Sequence, residues 1–234
     1  MANLTQLTLA KALDEVLQKL PSSSNKPALE KAARAIFALL GDYPRRAHLV
    51  DINETLSPLG KSQALEALRQ SFRKLISEGV DTYRVARNTY ITALEAAVKT
   101  NPPSETAQLL GATNFTALWN NPPKGEMGRR FEALVKHALE HADRPLMFHL
   151  AGPTVKALMS LGDEADKMFY AEALYRLRRG LAGPEKAAAV DALEAAEEYL
   201  PQLDETVATA LHFGAQDFKI PVPDLKRLRV GVGG

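Results

Sequence analysis

The sequence predicts an all-α fold, and three observations support that prediction. Leucine (34 residues) and alanine (36) dominate the 234-residue chain, whereas valine and isoleucine together number 17. Leucine and alanine lose little side-chain freedom in a helix, where β-branched residues are stiff. Apolar residues recur at helical spacing, and strict alternation is hard to find before the last ten residues. Prolines and glycines divide the chain into about ten helices joined by short loops, which favour antiparallel neighbours in one or two bundles.

Four helices are predicted in the first hundred residues. Each has an apolar stripe predicted to face inward, such as Leu13, Val16 and Leu20 in the first helix or Val85 and Tyr90 in the fourth. Prolines, glycines and capping residues set the ends of these helices. The predicted limits are 9–20 (stopped by Pro21), 27–40 (with Gly41 as the C′ cap), 57–79 (opened by Ser57 and Pro58, ended by Gly79) and 81–98 (capped by Asp81).

The second half divides into shorter predicted helices around the strongest loop signal of the chain, NNPPKGE at residues 120–126. Two short helices precede this loop, and a full helix that buries Phe131 and Leu134 follows it. The predicted pieces are 104–110, 113–119, 126–141, a turn at 145–150, 153–161, 163–180 (capped by Asp163), 184–200 (ended by Pro201) and 204–214 (ended by Gly214).

The prolines between residues 102 and 123 are the predicted boundary between two helical units. The predicted domains are an N-terminal helical bundle at 1–101, a linker with short helices at 102–125, a C-terminal helical bundle at 126–214 and an extended arm at 215–234. A helical unit of about 100 residues is large enough to bury a core of its own.

The last segment of the sequence, FKIPVPDLKRLRVGVGG, has no helical period. Its two prolines cannot donate hydrogen bonds, and the residues before them prefer extended geometry. Its apolar side chains need a surface to lie on, either on this chain's own body or on a neighbouring subunit. The predicted interaction residues of this arm are Ile220, Val222, Leu225, Leu228 and Val230.

Composition excludes several classes of function. Lys plus Arg number 29 and Asp plus Glu number 28, so the chain is neither a polybasic nucleic-acid binder nor an acidic tail protein. The chain has no cysteine, so disulfides, thiol catalysis and Cys-ligated metals are excluded. The N-terminus does not have the pattern of a signal peptide, and no apolar run is long enough to span a membrane, which predicts a cytoplasmic protein.

One pattern of residues carries potential chemistry. His137, Glu140 and His141 spell H-x-x-E-H, the motif of inverted zincins, and place both histidines on one face of a predicted helix. They could bind zinc with Glu140 as the general base, and the candidates for a third ligand are Glu164, Glu172 and Glu194. Peptidases with this motif have α+β domains, whereas this chain shows no sheet. Metal binding is therefore an alternative hypothesis, and we expect no cofactor.

Residues Glu54–Ile76, ETLSPLGKSQALEALRQSFRKLI, resemble helical structural (virion or assembly) proteins of tailed bacteriophages. The shared features are a threonine–leucine–serine at residues 55–57, Gly60-Lys61, and a Leu-Arg-rich helix that includes Leu68-Arg69. The resemblance does not extend to the C-terminal half. It implies a role in a virion or its assembly, located in the host cytoplasm or the particle.

Two main hypotheses follow from the sequence. The first is a non-enzymatic structural protein that assembles with copies of itself or with a larger complex, plausible for a phage particle. The second is a metal-binding helical hydrolase that uses the H-x-x-E-H residues. A third, a DNA-handling helical protein, is weaker, because each basic cluster has acidic neighbours and any binding to nucleic acid is expected to be non-specific. No membrane partner is expected.

Overall fold

The fold is helical throughout the part of the chain that the computed structural model describes, the backbone of residues 4–123 and 125–218 and the side chains of 7–123 and 125–214. Those residues form nine α-helices and one 3₁₀ turn and contain no strand, which confirms the all-α class and a number of helices close to ten. The elements are α1 (Leu4–Lys19), α2 (Lys26–Asp51), α3 (Pro58–Val98), α4 (Glu105–Trp119), α5 (Met127–Glu140), α6 (Arg144–Leu150), α7 (Pro153–Met159), α8 (Glu164–Ala182), the 3₁₀ turn Pro184–Lys186 and α9 (Ala187–Phe218).

The helices group into two compact units that do not follow chain order. The first unit contains the residues up to Leu94 and those from Ala195 onward, and the second contains Glu95–Glu194. Helices α3 and α9 therefore each contribute to both units. The predicted domains, with limits at 101 and 125, are segments expected to fold on their own. That expectation stays a prediction.

The first unit buries one apolar stripe from each of its four helices. Gly79 of α3 lies close to α2, since a Cβ there would fall 3.5 Å from Ile36 and 3.6 Å from Leu39. The hydroxyl of Tyr90 donates to the carbonyl of Pro21 at 2.8 Å and ties α3 to the end of α1. The largest fully buried side chains of the unit are Leu17, Leu20, Leu29, Ile36, Phe72, Tyr83 and Tyr90.

Helix α3 corrects the prediction of two helices separated at Gly79 and Asp81. The helix passes through both residues without a break over 41 residues. Its buried positions are spaced by three or four residues on both sides of Gly79 and Asp81: Phe72, Ile76, Val80, Tyr83, Arg87, Tyr90 and Leu94. A glycine in a helix interior costs about 1 kcal/mol, which is less than the burial of a continuous stripe contributes. Val85, predicted to face inward, is 67% exposed because it lies off this stripe.

Helices α2 and α9 correct two further predicted helix ends. The second helix does not end at Gly41 but continues through it and through Pro44 to Asp51. Likewise, α9 is one helix rather than two, and it contains Pro201 in its interior. Buried side chains continue on both sides of Pro201, at Leu200 and Leu203. Tertiary burial therefore outweighs the backbone hydrogen bond that a helical proline removes.

The second unit is built around one hydrophobic cluster from helices α4 to α8. Phe131 of α5 lies at its centre with no exposed surface, and α5 packs on α8 while α4 packs on α6. The loop predicted at residues 120–126 is confirmed for its described residues, which separate α4 from α5. The helix predicted to begin at Glu126 is also confirmed within one residue.

Two predictions in the second unit were wrong. The two short helices predicted at 104–110 and 113–119 are the single helix α4, which runs through Gly111. A Cβ at Gly111 would fall 2.3 Å from the carbonyl oxygen of Pro145, so the glycine permits close packing of α4 on α6. The turn predicted at 145–150 is the helix α6, whose N-cap Asp143 accepts a hydrogen bond from the backbone of Leu146.

Candidate interaction surfaces

The predicted arm begins later than expected. Helix α9 continues past Gly214 to Phe218, so the prediction of an extended arm from residue 215 is wrong for its first four residues. Gly214 allows close packing rather than ending the helix, since a Cβ there would fall 2.5 Å from a methyl carbon of Leu40. Outside the described residues lie the five predicted interaction residues: Ile220, Val222, Leu225, Leu228 and Val230.

The H-x-x-E-H residues lie at the exposed end of α5. The rings of His137 and His141 are 4.3 Å apart between centroids, and both side chains are exposed. Nδ1 of His141 lies 2.9 Å from the carbonyl oxygen of His137, and Glu140 forms an ion pair with Lys136. Among the described residues, no group of three or more metal-ligating side chains is close enough to hold an ion. The helix thus brings two imidazoles together, and no third ligand joins them there.

Two arginines from basic stretches of the sequence are paired with neighbouring carboxylates. Arg46 pairs with Asp42 at 2.6 Å, and Arg179 pairs with Asp191 at 3.0 Å. Since phosphate recognition needs cations that are free to displace counterions, these pairs make neither arginine a good contact for a nucleic acid.

Helix α4 presents an uncharged face to solvent. Leu109 is 69% exposed and Leu110 is 52% exposed, although both are large apolar side chains. No charged residue occurs between Thr106 and Pro123. An amphipathic surface helix normally carries charged residues on its outer face. Exposed leucines without such charges are more typical of a helix whose outer face is covered by another surface.

Two of the threonines on this face already have hydrogen-bond partners within the helix. Thr113 donates its hydroxyl proton to the carbonyl of Leu109 at 2.9 Å, and Thr116 donates to the carbonyl of Ala112 at 2.9 Å. Both threonine donors could therefore lose contact with water without being left unpaired. We call the exposed residues Thr106, Leu109, Leu110, Thr113, Thr116 and Ala117 the α4 face.

The opposite side of α4 anchors the helix in the second unit. Trp119, the single tryptophan of the chain, is 5% exposed and stacks on Phe115 with ring centroids 5.2 Å apart. The ring of Phe115 also lies 5.1 Å from that of His149, whose pKa is lowered by burial. This aromatic packing fixes which side of α4 faces solvent.

A groove runs between α2 and α3 in the first unit. Its volume is about 670 Å³, and its walls are mostly small or uncharged side chains. Val85, which lies off the buried stripe of α3, is one of the residues that line this groove. The residues that line it are Asn25, Ala28, Lys31, Ala32, Ala35, Asp81, Thr82, Val85, Ala86 and Thr89, which we call the α2–α3 groove.

A buried polar cluster joins α3 to α9. Nε of Arg87 donates to both carboxylate oxygens of Asp204, at 2.8 and 3.1 Å, and the hydroxyl of Tyr83 donates to the same carboxylate at 2.7 Å. Burial raises the pKa of Asp204, and Arg87 and Tyr83 offset that effect only in part. Burial and then the charge of Asp204 raise the pKa of Tyr83 well above 10.0. Both donors to the carboxylate belong to α3, so the cluster ties α3 to α9.

A second buried carboxylate, Asp166 of α8, is held by backbone N–H groups. Gly128 donates to it at 2.7 Å, Gly125 at 3.0 Å and Asp163 at 3.3 Å, and the side chain is 1% exposed. Burial raises the pKa of Asp166, but the three donors outweigh it and bring the pKa below the ordinary value. The sequence analysis identified Asp163 as a cap but missed Asp166, which completes a capping box three residues later.

None of the described helices is both long and apolar enough to cross a bilayer. No protein-family model, curated protein or solved structure matches this chain. What the protein does has therefore to be inferred from its own surfaces. Of these, the α4 face was missed by the sequence analysis, although the uncharged run from Thr106 to Pro123 is visible in the sequence.

Proposed function

We propose that this protein is a non-enzymatic structural protein that assembles with copies of itself or with a larger complex. The observation that supports the proposal is the α4 face, where Leu109 and Leu110 are exposed in a stretch of helix that has no charged residue after Glu105. Exposed apolar surface of this kind marks contact sites more often than catalytic ones. The setting in a phage particle rests on the resemblance of Glu54–Ile76 and belongs to the proposal.

The chemistry of the α4 face permits a contact between two copies. In a twofold contact the same surface meets itself, so any charge on it would face a like charge. The α4 face has no charge to repel its own copy. The hydroxyls of Thr113 and Thr116 donate to helix carbonyls, so removing water from the contact does not leave these two donors unpaired.

Sedimentation velocity over a concentration series up to about 1 mM tests the proposal, because that range detects association free energies near 4 kcal/mol. We expect the mass of the full chain to rise with concentration. The double variant Leu109→Glu/Leu110→Glu should remain a monomer, since it places charges on the α4 face. Fluorescence of Trp119 checks that the second unit is still folded.

Leu161→Glu is the matched control. Leu161 is as exposed as Leu109, at 64%, and belongs to the same unit, but it lies outside the α4 face. This variant should assemble like the natural chain. A chain that stays monomeric at every concentration, or a control that loses assembly as completely as the double variant, would contradict the proposal.

A further inference from the structure

We propose that the α4 faces of two copies meet in an antiparallel twofold contact, and that Glu105 of each copy pairs there with Arg130 of the other. The inference rests on the proposed function and adds to it the orientation of the two chains and the residues that select the partner. The observation behind it is that opposite charges stand at the two ends of the α4 face, with no charged residue on the face itself.

The negative end of the α4 face is Glu105. It is the first residue of α4, directly before Thr106, and its side chain is exposed. No cation pairs with this carboxylate in the part of the chain that the structure describes. Its charge can therefore pair with a cation on a second molecule.

The positive end of the α4 face is Arg130. This residue belongs to α5, but its Nη2 donates to the carbonyl oxygen of Leu118, which holds the guanidinium at the C-terminal end of α4. Arg130 is exposed, and among the described residues no carboxylate pairs with it. A helix C-terminus carries a partial charge of about −0.5, so the full positive charge of Arg130 leaves this end of α4 net positive.

The positions of the two charges match the centre of the face. The α4 face extends over residues 106–117, so its centre lies between residues 111 and 112. Glu105 and Leu118 lie one residue outside the face at either end and share that centre. An antiparallel overlap of the whole face brings Glu105 of each copy level with Leu118 of the other, where Arg130 lies.

The same overlap fits the exposed leucines. Leu110 of each copy lies level with Thr113 of the other, since both residues are equally far from the centre of the face. Threonine is smaller than leucine, so the larger side chain can insert beside the smaller one, as knobs do into holes between packed helices. The hydroxyl of Thr113 already donates to the carbonyl of Leu109, so covering it leaves no donor unpaired.

The charges favour the antiparallel contact over a parallel one. In a parallel twofold contact Glu105 would face Glu105 and Arg130 would face Arg130, so both ends would repel. In the antiparallel contact both ends attract, because a second copy brings the same two charges in the reverse order. Complementary charges at the rim of an interface fix its orientation and its partner. Here they also add to the contribution of the exposed leucines.

Charge reversal tests this pairing. Glu105→Arg leaves arginines at both ends of the α4 face, and Arg130→Glu leaves glutamates at both ends, so neither variant should associate with itself. By sedimentation velocity we expect the dissociation constant of each variant to rise at least tenfold over that of the natural chain, a change of about 1.4 kcal/mol. An equimolar mixture of the two variants should associate like the natural chain, because each end again meets the opposite charge. The combined variant Glu105→Arg/Arg130→Glu should also recover association.

Glu164→Arg and Lys156→Glu are the matched controls. They make the same changes of charge at exposed positions of the same unit, outside the α4 face, and both should associate like the natural chain. Fluorescence of Trp119 checks that the second unit is folded in each variant, and recovery in the mixture shows that the loss comes from charge rather than misfolding.

The outcomes separate this inference from the proposed function. Single variants that associate as the natural chain does, or a mixture and a combined variant that fail to recover, overturn the pairing of Glu105 with Arg130 and leave the self-assembly of the proposed function in place. A natural chain that never associates overturns both.

Discussion

Replacing Asp166 with asparagine should destabilise the second unit strongly, because this carboxylate accepts three backbone hydrogen bonds. It joins the start of α8 to the first turn of α5 and the residues before it, through the N–H groups of Asp163, Gly128 and Gly125. Asparagine has the same shape but only one oxygen. The amide nitrogen of asparagine carries hydrogens and cannot accept a hydrogen bond from the backbone N–H groups. The negative charge of the carboxylate is also lost.

The expected loss follows from the bonds that asparagine cannot keep. A hydrogen bond to a charged group contributes roughly 1.5–3 kcal/mol, so the loss of one to two such bonds lowers the free energy of unfolding by about 3 kcal/mol. The site cannot relax easily, since a Cβ at Gly128 would already lie 2.9 Å from Cα of Asp166. A urea m-value near 1 kcal/mol/M for a unit of this size converts the loss to a midpoint lower by about 3 M.

The fluorescence of Trp119 measures the stability of the second unit. This residue is the single tryptophan and lies in the core of the second unit, so its fluorescence follows the unfolding of that unit in urea. Glu164→Gln is the control, because Glu164 occupies the first turn of the same helix but is exposed. Removing that charge near a helix N-terminus should cost less than about 1 kcal/mol.

The pH dependence supplies a second check with a definite sign. Burial raises the pKa of Asp166, but the N–H donors of Gly128, Gly125 and Asp163 outweigh it, so the folded-state pKa lies below 3.8. The stabilisation by the carboxylate is therefore complete above that pH and is lost as the pH falls through the folded-state pKa. The difference between the natural chain and Asp166→Asn should shrink at such low pH. A midpoint for Asp166→Asn within 0.5 M of that of Glu164→Gln, about 0.5 kcal/mol at this m-value, would refute the reasoning.

Two further predictions concern glycine packing and the histidine pair. Gly111→Ala should destabilise the second unit by about 1–3 kcal/mol, because its Cβ meets the backbone of Pro145. Gly41→Ala should instead stabilise α2 by about 0.5–1 kcal/mol, since nothing lies within 4 Å of its Cβ. Thermal unfolding followed by circular dichroism compares the two, and destabilisation by Gly41→Ala would show that Gly41 ends a helix after all. Chelation should leave the Trp119 midpoint unchanged, since His137 and His141 are exposed and have no third ligand among the described residues. Stoichiometric zinc in the purified protein, with a lower midpoint after chelation, would support the metal-binding alternative.

The helical class could be predicted from the sequence because it follows from composition. Leucine and alanine at three- and four-residue spacing favour helices wherever they pack. The helix ends were less predictable, since Gly79 and Pro201 look like ends locally but lie inside α3 and α9. A proline or glycine inside a helix costs about 1–3 kcal/mol. The burial of a stripe that continues past it outweighs this cost, and that burial depends on neighbours that the sequence does not identify.

The buried polar contacts were beyond prediction for a different reason. Arg87 and Asp204 are separated by 117 residues, and nothing local indicates that they meet. The same applies to Asp166 and Gly128, 38 residues apart. Removing one partner from a buried pair costs about 3–5 kcal/mol, so these contacts select which helices pack together. Only the start of the capping box, Asp163, was visible from sequence.

The exposed leucines of α4 also limit how tight the proposed assembly can be. Full burial of a leucine is worth about 2 kcal/mol, so covering Leu109 and Leu110 at their exposures of 69% and 52% gives roughly 2.4 kcal/mol per copy and about 5 kcal/mol in a symmetric pair. Association costs about 4–15 kcal/mol in lost translational and rotational freedom. These leucines alone therefore leave at most about 1 kcal/mol, so the association expected below 1 mM requires the rest of the α4 face or further contacts to contribute as well. Stable assembly requires each chain to make more than one contact, since linked contacts raise the effective concentration of the next. A protein with such a face should assemble where many copies are held side by side, which is the situation of a structural protein in a particle.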